Sequence, residues 1–187
     1  MKNVADIAKS IGIYDVNEMI AFRQFVENQS DIRIEKSFLK GVMVDDADVQ
    51  KVTNRYIEIK EKAAAEKAKI NEATSKILVS SGFNFDGYKI TKYSGYISGD
   101  DTVQIDRKVL CDYKPQEICD ALVKIRIQAL KELKEAAYAL GCNAVIGVDF
   151  DYMTFEPQTA NINGGTTYYP YVICVTANGN AVIIEKE

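Results

Sequence analysis

A chain of 187 residues, 47% hydrophobic and 27% charged, is long enough for one substantial core and an appendage. Its formal net charge of −4 argues against nucleic acid and anionic membrane as partners, because nothing draws the whole molecule toward phosphates. The chain contains no histidine, which excludes a Ser-His or Cys-His nucleophile pair and any imidazole-bearing zinc site.

No apolar run reaches the roughly 18 residues of a membrane span. The start, "MKNVADIAKSIG", lacks the unbroken apolar segment of a signal peptide, so a cytoplasmic location is expected. Cys111, Cys119, Cys142 and Cys174 are dispersed, with no CxxC pair, and read as reduced thiols rather than metal ligands.

Residues 1–76 read as a helical N-terminal region. "NVADIAKSIGIYDVNEMI" has the outline of a helix-turn-helix, but its second helix would open on Tyr14, Asp15, Asn17 and Glu18. Two carboxylates facing phosphates are unfavourable, so a plain helical hairpin is the better reading. Asp15, with Glu18 three residues on, is the expected N-cap of the second helix. A longer helix is expected over 46–76, capped by Asp45 or Asp46. Val49, Val52, Tyr56, Ile59, Ala63, Glu66, Ile70, Ala73 and Ile77 alternate in threes and fours, a heptad seam with one polar break. That seam predicts burial, against the N-terminal helices or between subunits.

From Ile77 the pattern changes, and 77–187 reads as a separate domain. "KILVSS" and "GYKITKYSGYISGD" are strand-like, the second by alternation between glycines. Pro115 opens a long helix that Gly141 closes, with Ile118, Leu122, Ile125, Ala129, Leu133, Ala136 and Leu140 on one face. "NAVIGVDFDYMTF" is a further strand. "EPQTANINGGTT" reads as a loop. "YYPYVICVTANGNAVIIEK" reads as a closing hairpin with a type I′ turn at Asn178-Gly179. One long helix on a mostly antiparallel sheet is an α+β two-layer sandwich. A single helix covers only part of such a sheet, so self-association is expected.

Alternation puts Asp149 and Asp151 on one face of their strand with Gly147 and Met153, and Ile146, Val148, Phe150 and Tyr152 on the other, toward the helix. Asp149, Asp151 and the adjoining Tyr152 are the candidate ligand-binding residues. The two carboxylates suit a hard cation only with further oxygen ligands; the plainer reading is a solvated strand face. Gly95, Gly99 and Gly147 read as sites of a bulge, a turn or close helix packing. No catalytic constellation is present, and no cofactor or metal is expected.

"GYKITKYSGYISG" (87–99), "RIQALKELKEAAYALGCNAVIGVDFDY" (126–152) and "VTANGNAV" (175–182) resemble the YbjQ-like family, labelled heavy-metal-binding and of unknown function. The resemblance covers about 77–187. It implies a dodecin-like α/β fold and a homopentameric ring with subunit sheets joined side by side, and no known reaction. Cys142 stands where the family usually carries alanine, and Asn180 where threonine is common. The function expected is a non-catalytic homo-oligomeric scaffold or small-ligand binder whose N-terminal helices face a protein partner. The alternative is a divalent or heavy-metal binder using carboxylates or thiols.

Overall fold

The computed structural model describes residues 1–39, 41–105, 115–155, 159–162, 165–168 and 170–187. They divide into two compact units, Met1–Ala68 and Lys69–Glu187.

The first unit holds β1 (Lys2–Asn3), α1 (Val4–Ser10), α2 (Val16–Glu27), β2 (Ile34–Ser37), β3 (Gly41–Val44) and most of α3 (Asp46–Ser75). The Asp15 carboxylate accepts the Glu18 amide at 2.9 Å and caps α2. Asp45 accepts the Ala47 amide at 3.1 Å at the head of α3. The purely helical reading needs correcting, because β1, β3 and β2 form a three-stranded antiparallel sheet. In "RIEKSFLKGVMV" each strand is only four residues long, too short for its alternation to stand out against a helical period. Phe22, Val26, Val44, Val52 and Tyr56 centre the core, with the Phe22 and Tyr56 rings edge to face at 4.8 Å.

The α3 seam, expected to be buried against the N-terminal helices or between subunits, is only partly covered within this chain. Val52 and Tyr56 are buried, but Ile59 is 52% exposed and residues 57–69 are exposed on every face. Within the chain, the seam is covered only toward its two ends.

Ion pairs brace α3 within this unit. Asp31 accepts from both Nη groups of Arg55 at 2.8 Å and pairs with Lys51 Nζ at 2.7 Å. The Arg55 guanidinium first, then Lys51, hold the Asp31 carboxyl well below the usual carboxylate range. Lys36 and Arg23 lower Glu27 in the same way. A carboxylate whose folded pKa is depressed contributes stability that is complete above its unfolded pKa. That share is lost as pH falls through the folded value. The melting temperature of the Met1–Ala68 unit is therefore expected to fall as pH drops below about 4. The pairs are exposed, so the effect is modest and shrinks in high salt. Calorimetric scans from neutral to acid pH check this; a flat profile would show that the pairs contribute nothing.

The second unit carries β4 (Leu78–Val79), β5 (Tyr88–Ile105), α4 (Pro115–Ala139), β6 (Ala144–Phe155), β7 (Thr159–Ile162), β8 (Gly165–Tyr168) and β9 (Tyr171–Lys186). The main sheet runs β4-β6-β9-β5, antiparallel except for the short β4–β6 pairing. α4 lies on one face, burying Ile125, Ala129, Leu133 and Ala137 against Val145, Val175, Ala177 and Ala181. This is an α+β fold.

Two expectations differ here. Asn178-Gly179 is no turn: β9 runs unbroken from Tyr171 to Lys186, with β5 on one side and β6 on the other. Gly179 is glycine for space, since a Cβ there would lie 2.6 Å from Val145 Cγ1. The stretch read as one loop holds a hairpin, with β7 antiparallel to β8. Residues 156–158 and 163–164 of that stretch lie outside the described residues, as does Cys111.

Candidate functional site

The candidate residues sit on β6, and a bulge decides which way they face. The β6–β9 register shifts between Ile146 and Asp149, where Gly147 adopts φ +63. The bulge makes one correction to the alternation. Val145 faces α4, and Ile146 lies on the open face with Ala144, Val182 and Ile184. Past the bulge, Val148 and Phe150 pack toward α4 as expected. The Phe83 ring covers Gly147, and a Cβ there would meet it at 2.9 Å.

Asp149 and Asp151 share the open face and are exposed. Asp149 lies opposite Asn178, and its Oδ1 accepts the Phe150 amide at 2.8 Å. Asp151 lies opposite Thr176, and its Oδ2 accepts from Asn178 Nδ2 at 2.6 Å. Thr176 also faces Asp100 on β5 and donates to Asp100 Oδ1 at 2.6 Å. A polar row therefore crosses three strands, Asp151–Thr176–Asp100. Its carboxylates are engaged by neutral donors and pair with no cation among the described residues. Among the described residues, no three His, Cys, Asp or Glu side chains converge closely enough to hold a metal ion. Cys119 is exposed, Cys142 buried and Cys174 intermediate, each a free thiol.

Tyr152 does not join the two aspartates. It lies on the helix side, where its hydroxyl accepts from Arg126 Nε at 2.7 Å. The Arg126 guanidinium carbon stands 5.6 Å from the Tyr152 ring centre and 5.7 Å from that of Phe150. Sequence reasoning missed Arg126, because a charged residue beside an apolar helix face reads as solvated. Asn143 was missed as well. Its Nδ2 donates to the Ile184 carbonyl and its Oδ1 accepts the Ile184 amide, both at 2.8 Å, so a side chain stands in for one rung of the ladder. An amide just before an apolar run gives no periodic signal of that kind.

The geometry is that of a sheet with one helix-covered face, a polar row on the opposite face beyond the bulge, and a cation seated on two rings at one side. The pattern of the family described as "Putative heavy-metal-binding" matches residues 77–185. A UPF0145 protein of Clostridium kluyveri is 32% identical over 108 residues, covering 54% of this chain and 92% of that protein. A UPF0145 protein of Bifidobacterium longum is 30% identical over 118 residues, covering 59% of this chain and 97% of that protein. A solved structure from Pediococcus pentosaceus, of a protein of unknown function, covers 58% of this chain and 98% of its own, with TM-score 0.37 and 15% sequence identity. With more than half of its residues matched by the family pattern, and nearly the full length of the two UPF0145 proteins aligned, the chain belongs to the YbjQ-like family.

Proposed function

We propose that this protein is a non-catalytic scaffold that assembles from copies of itself through the edges of its main sheet. The observation that carries the reading is the length of unpaired edge. β5 is 18 residues long and, among the described residues, pairs only with β9. On the other side, β4 pairs with the start of β6 at Ala144 and Val145, and Ser80 takes the Val148 amide. Beyond that, residues 149–155 have no outer partner among the described residues. Natural proteins blunt such edges, because bare amides and carbonyls template pairing with another chain. β5 has register shifts at Ile90/Lys92 and Tyr93/Gly95, but from Tyr96 to Ile105 its register is regular. That half is suited to a neighbouring strand. The family resemblance favours a homopentameric ring.

The N-terminal unit presents apolar side chains for a protein partner. Tyr14, Val16 and Ile20 are exposed at the start of α2, the latter two one helical turn apart, and Phe38 and Leu39 are exposed at the tip of the β2–β3 hairpin. Asp149 and Asp151 are read as the solvated face of the sheet.

Native mass spectrometry and sedimentation test the assembly and the aspartates together. The wild-type chain is expected to be oligomeric at micromolar concentration, and the D149N/D151N double variant to assemble identically. A monomeric wild type would remove the scaffold reading. Calorimetric binding of calcium, magnesium or manganese that vanishes in D149N/D151N would make these carboxylates a site.

A further inference from the structure

The two free edges of the sheet carry opposite charge on the side where α4 lies. α4 packs mainly over β5 and β9, so β6 past its bulge is incompletely covered on that side. Phe150 is half-buried and Tyr152 is exposed. Arg126 reaches over this gap, its Nε bonded to the Tyr152 hydroxyl at 2.7 Å and its guanidinium over both rings. It forms no ion pair with a described residue, and it is exposed.

The β5 edge is acidic. Glu132 Oε2 accepts the Asp100 amide at 3.3 Å, and Glu132 Oε1 accepts from Gln128 at 3.4 Å. An α4 carboxylate that takes a β5 amide stands at the outer side of that strand, since the inner side faces β9. Asp101 follows on β5, in register with Val175 and so turned toward the helix layer. Glu132 has no cationic partner among the described residues.

We propose that Arg126 of one copy pairs with Glu132 of the next copy where the β6 edge of the first meets the β5 edge of the second. The inference rests on the edge-assembly reading and names the contact that gives it direction. Arg suits this role because its planar fork can bind a carboxylate through two parallel hydrogen bonds while stacking on rings. Being already seated, it loses little freedom on pairing. β5 and β6 are both antiparallel to β9, so they run parallel to each other. One β6-to-β5 step therefore repeats with every helix on the same side, as a head-to-tail ring requires. The competing β5-to-β5 contact sets Glu132 and Asp101 near their own copies, and like charges disfavour it.

The test compares wild type, R126E, E132R and R126E/E132R by native mass spectrometry across a dilution series, with circular dichroism to confirm that each chain folds. Each single reversal is expected to raise the subunit concentration needed for assembly by about 100-fold. The double reversal is expected to recover most of that. Because Arg126 also contacts Tyr152, E132R supplies an independent arm that leaves the ring shelf intact. Folded single variants that assemble like wild type overturn the pairing while the edge-assembly reading stands. Folded singles that fail to assemble, with no recovery in the double variant, also overturn it. A monomeric wild type removes the assembly reading itself.

Discussion

Replacing Gly99 with valine is expected to unfold the second unit. A Cβ at this position would lie 2.3 Å from the Ala129 carbonyl oxygen and 2.3 Å from the Leu133 amide nitrogen. Both are backbone atoms of α4, so no side chain can rotate away. The helix must lift off the sheet. Ala129 and Leu133, both fully buried, would then lose contact with Val175 and Ala177. Overpacking a tight core costs roughly 1–3 kcal/mol, and a clash against rigid backbone belongs at or beyond the top of that range. Such a loss is a large share of a typical domain's stability. Gly87 is the contrast. Its φ is +78 and a Cβ would meet nothing within 4 Å, so Gly87→Ala is expected to cost only about 1–2 kcal/mol of backbone strain. Urea unfolding of both variants separates the two uses of glycine. Equal losses would mean that the sheet yields to the helix and that the close approach is not limiting.

Phe22→Ala should have a comparable effect on the first unit. Phe22 is fully buried at the centre of the core and meets both Tyr56 and, through that ring, Phe25. Truncating a buried Phe to Ala typically costs about 3–5 kcal/mol, from lost transfer energy and the cavity left behind. A unit as small as Met1–Ala68 buries little surface and has little stability in reserve. Amide exchange protection in α2 and in the first turns of α3 is expected to collapse. Unchanged protection there would mean that the neighbouring side chains close the cavity.

Periodicity and caps made the long elements legible. α2 begins after Asp15, and α4 begins at Pro115 and ends two residues before Gly141, because each boundary is set by local chemistry. The shared face of Asp149 and Asp151 was legible for the same reason: strict alternation holds beyond the bulge. Ile146 was misplaced because the bulge is a tertiary event, and one extra residue exchanges the two faces. The Asn178-Gly179 signal misled because the dipeptide reports two different needs. A type I′ turn needs positive φ, whereas here Gly179 clears space for Val145 and Val148. The four-residue strands of the first unit fall below the length at which any period can be counted. Arg126 was invisible because its role depends on Tyr152 and Phe150, which the rest of α4 and the first half of β6 separate from it in sequence.

The position of β9 sets the order in which the chain can mature during synthesis. β9 is the last of the described elements in chain order, yet it holds β5 on one side and β6 on the other. Until Tyr171–Lys186 has left the ribosome, β5 has no native neighbour among the described strands and β6 has only the short β4. The Met1–Ala68 unit has all of its partners long before that. Translation proceeds at roughly 5–20 residues per second, so the nascent second unit waits for seconds with long apolar strands unpaired. Its vulnerability to misassociation is greatest in that interval. A message truncated between the codons of the first unit and those of β9 would yield a chain whose first unit matures and whose sheet never closes.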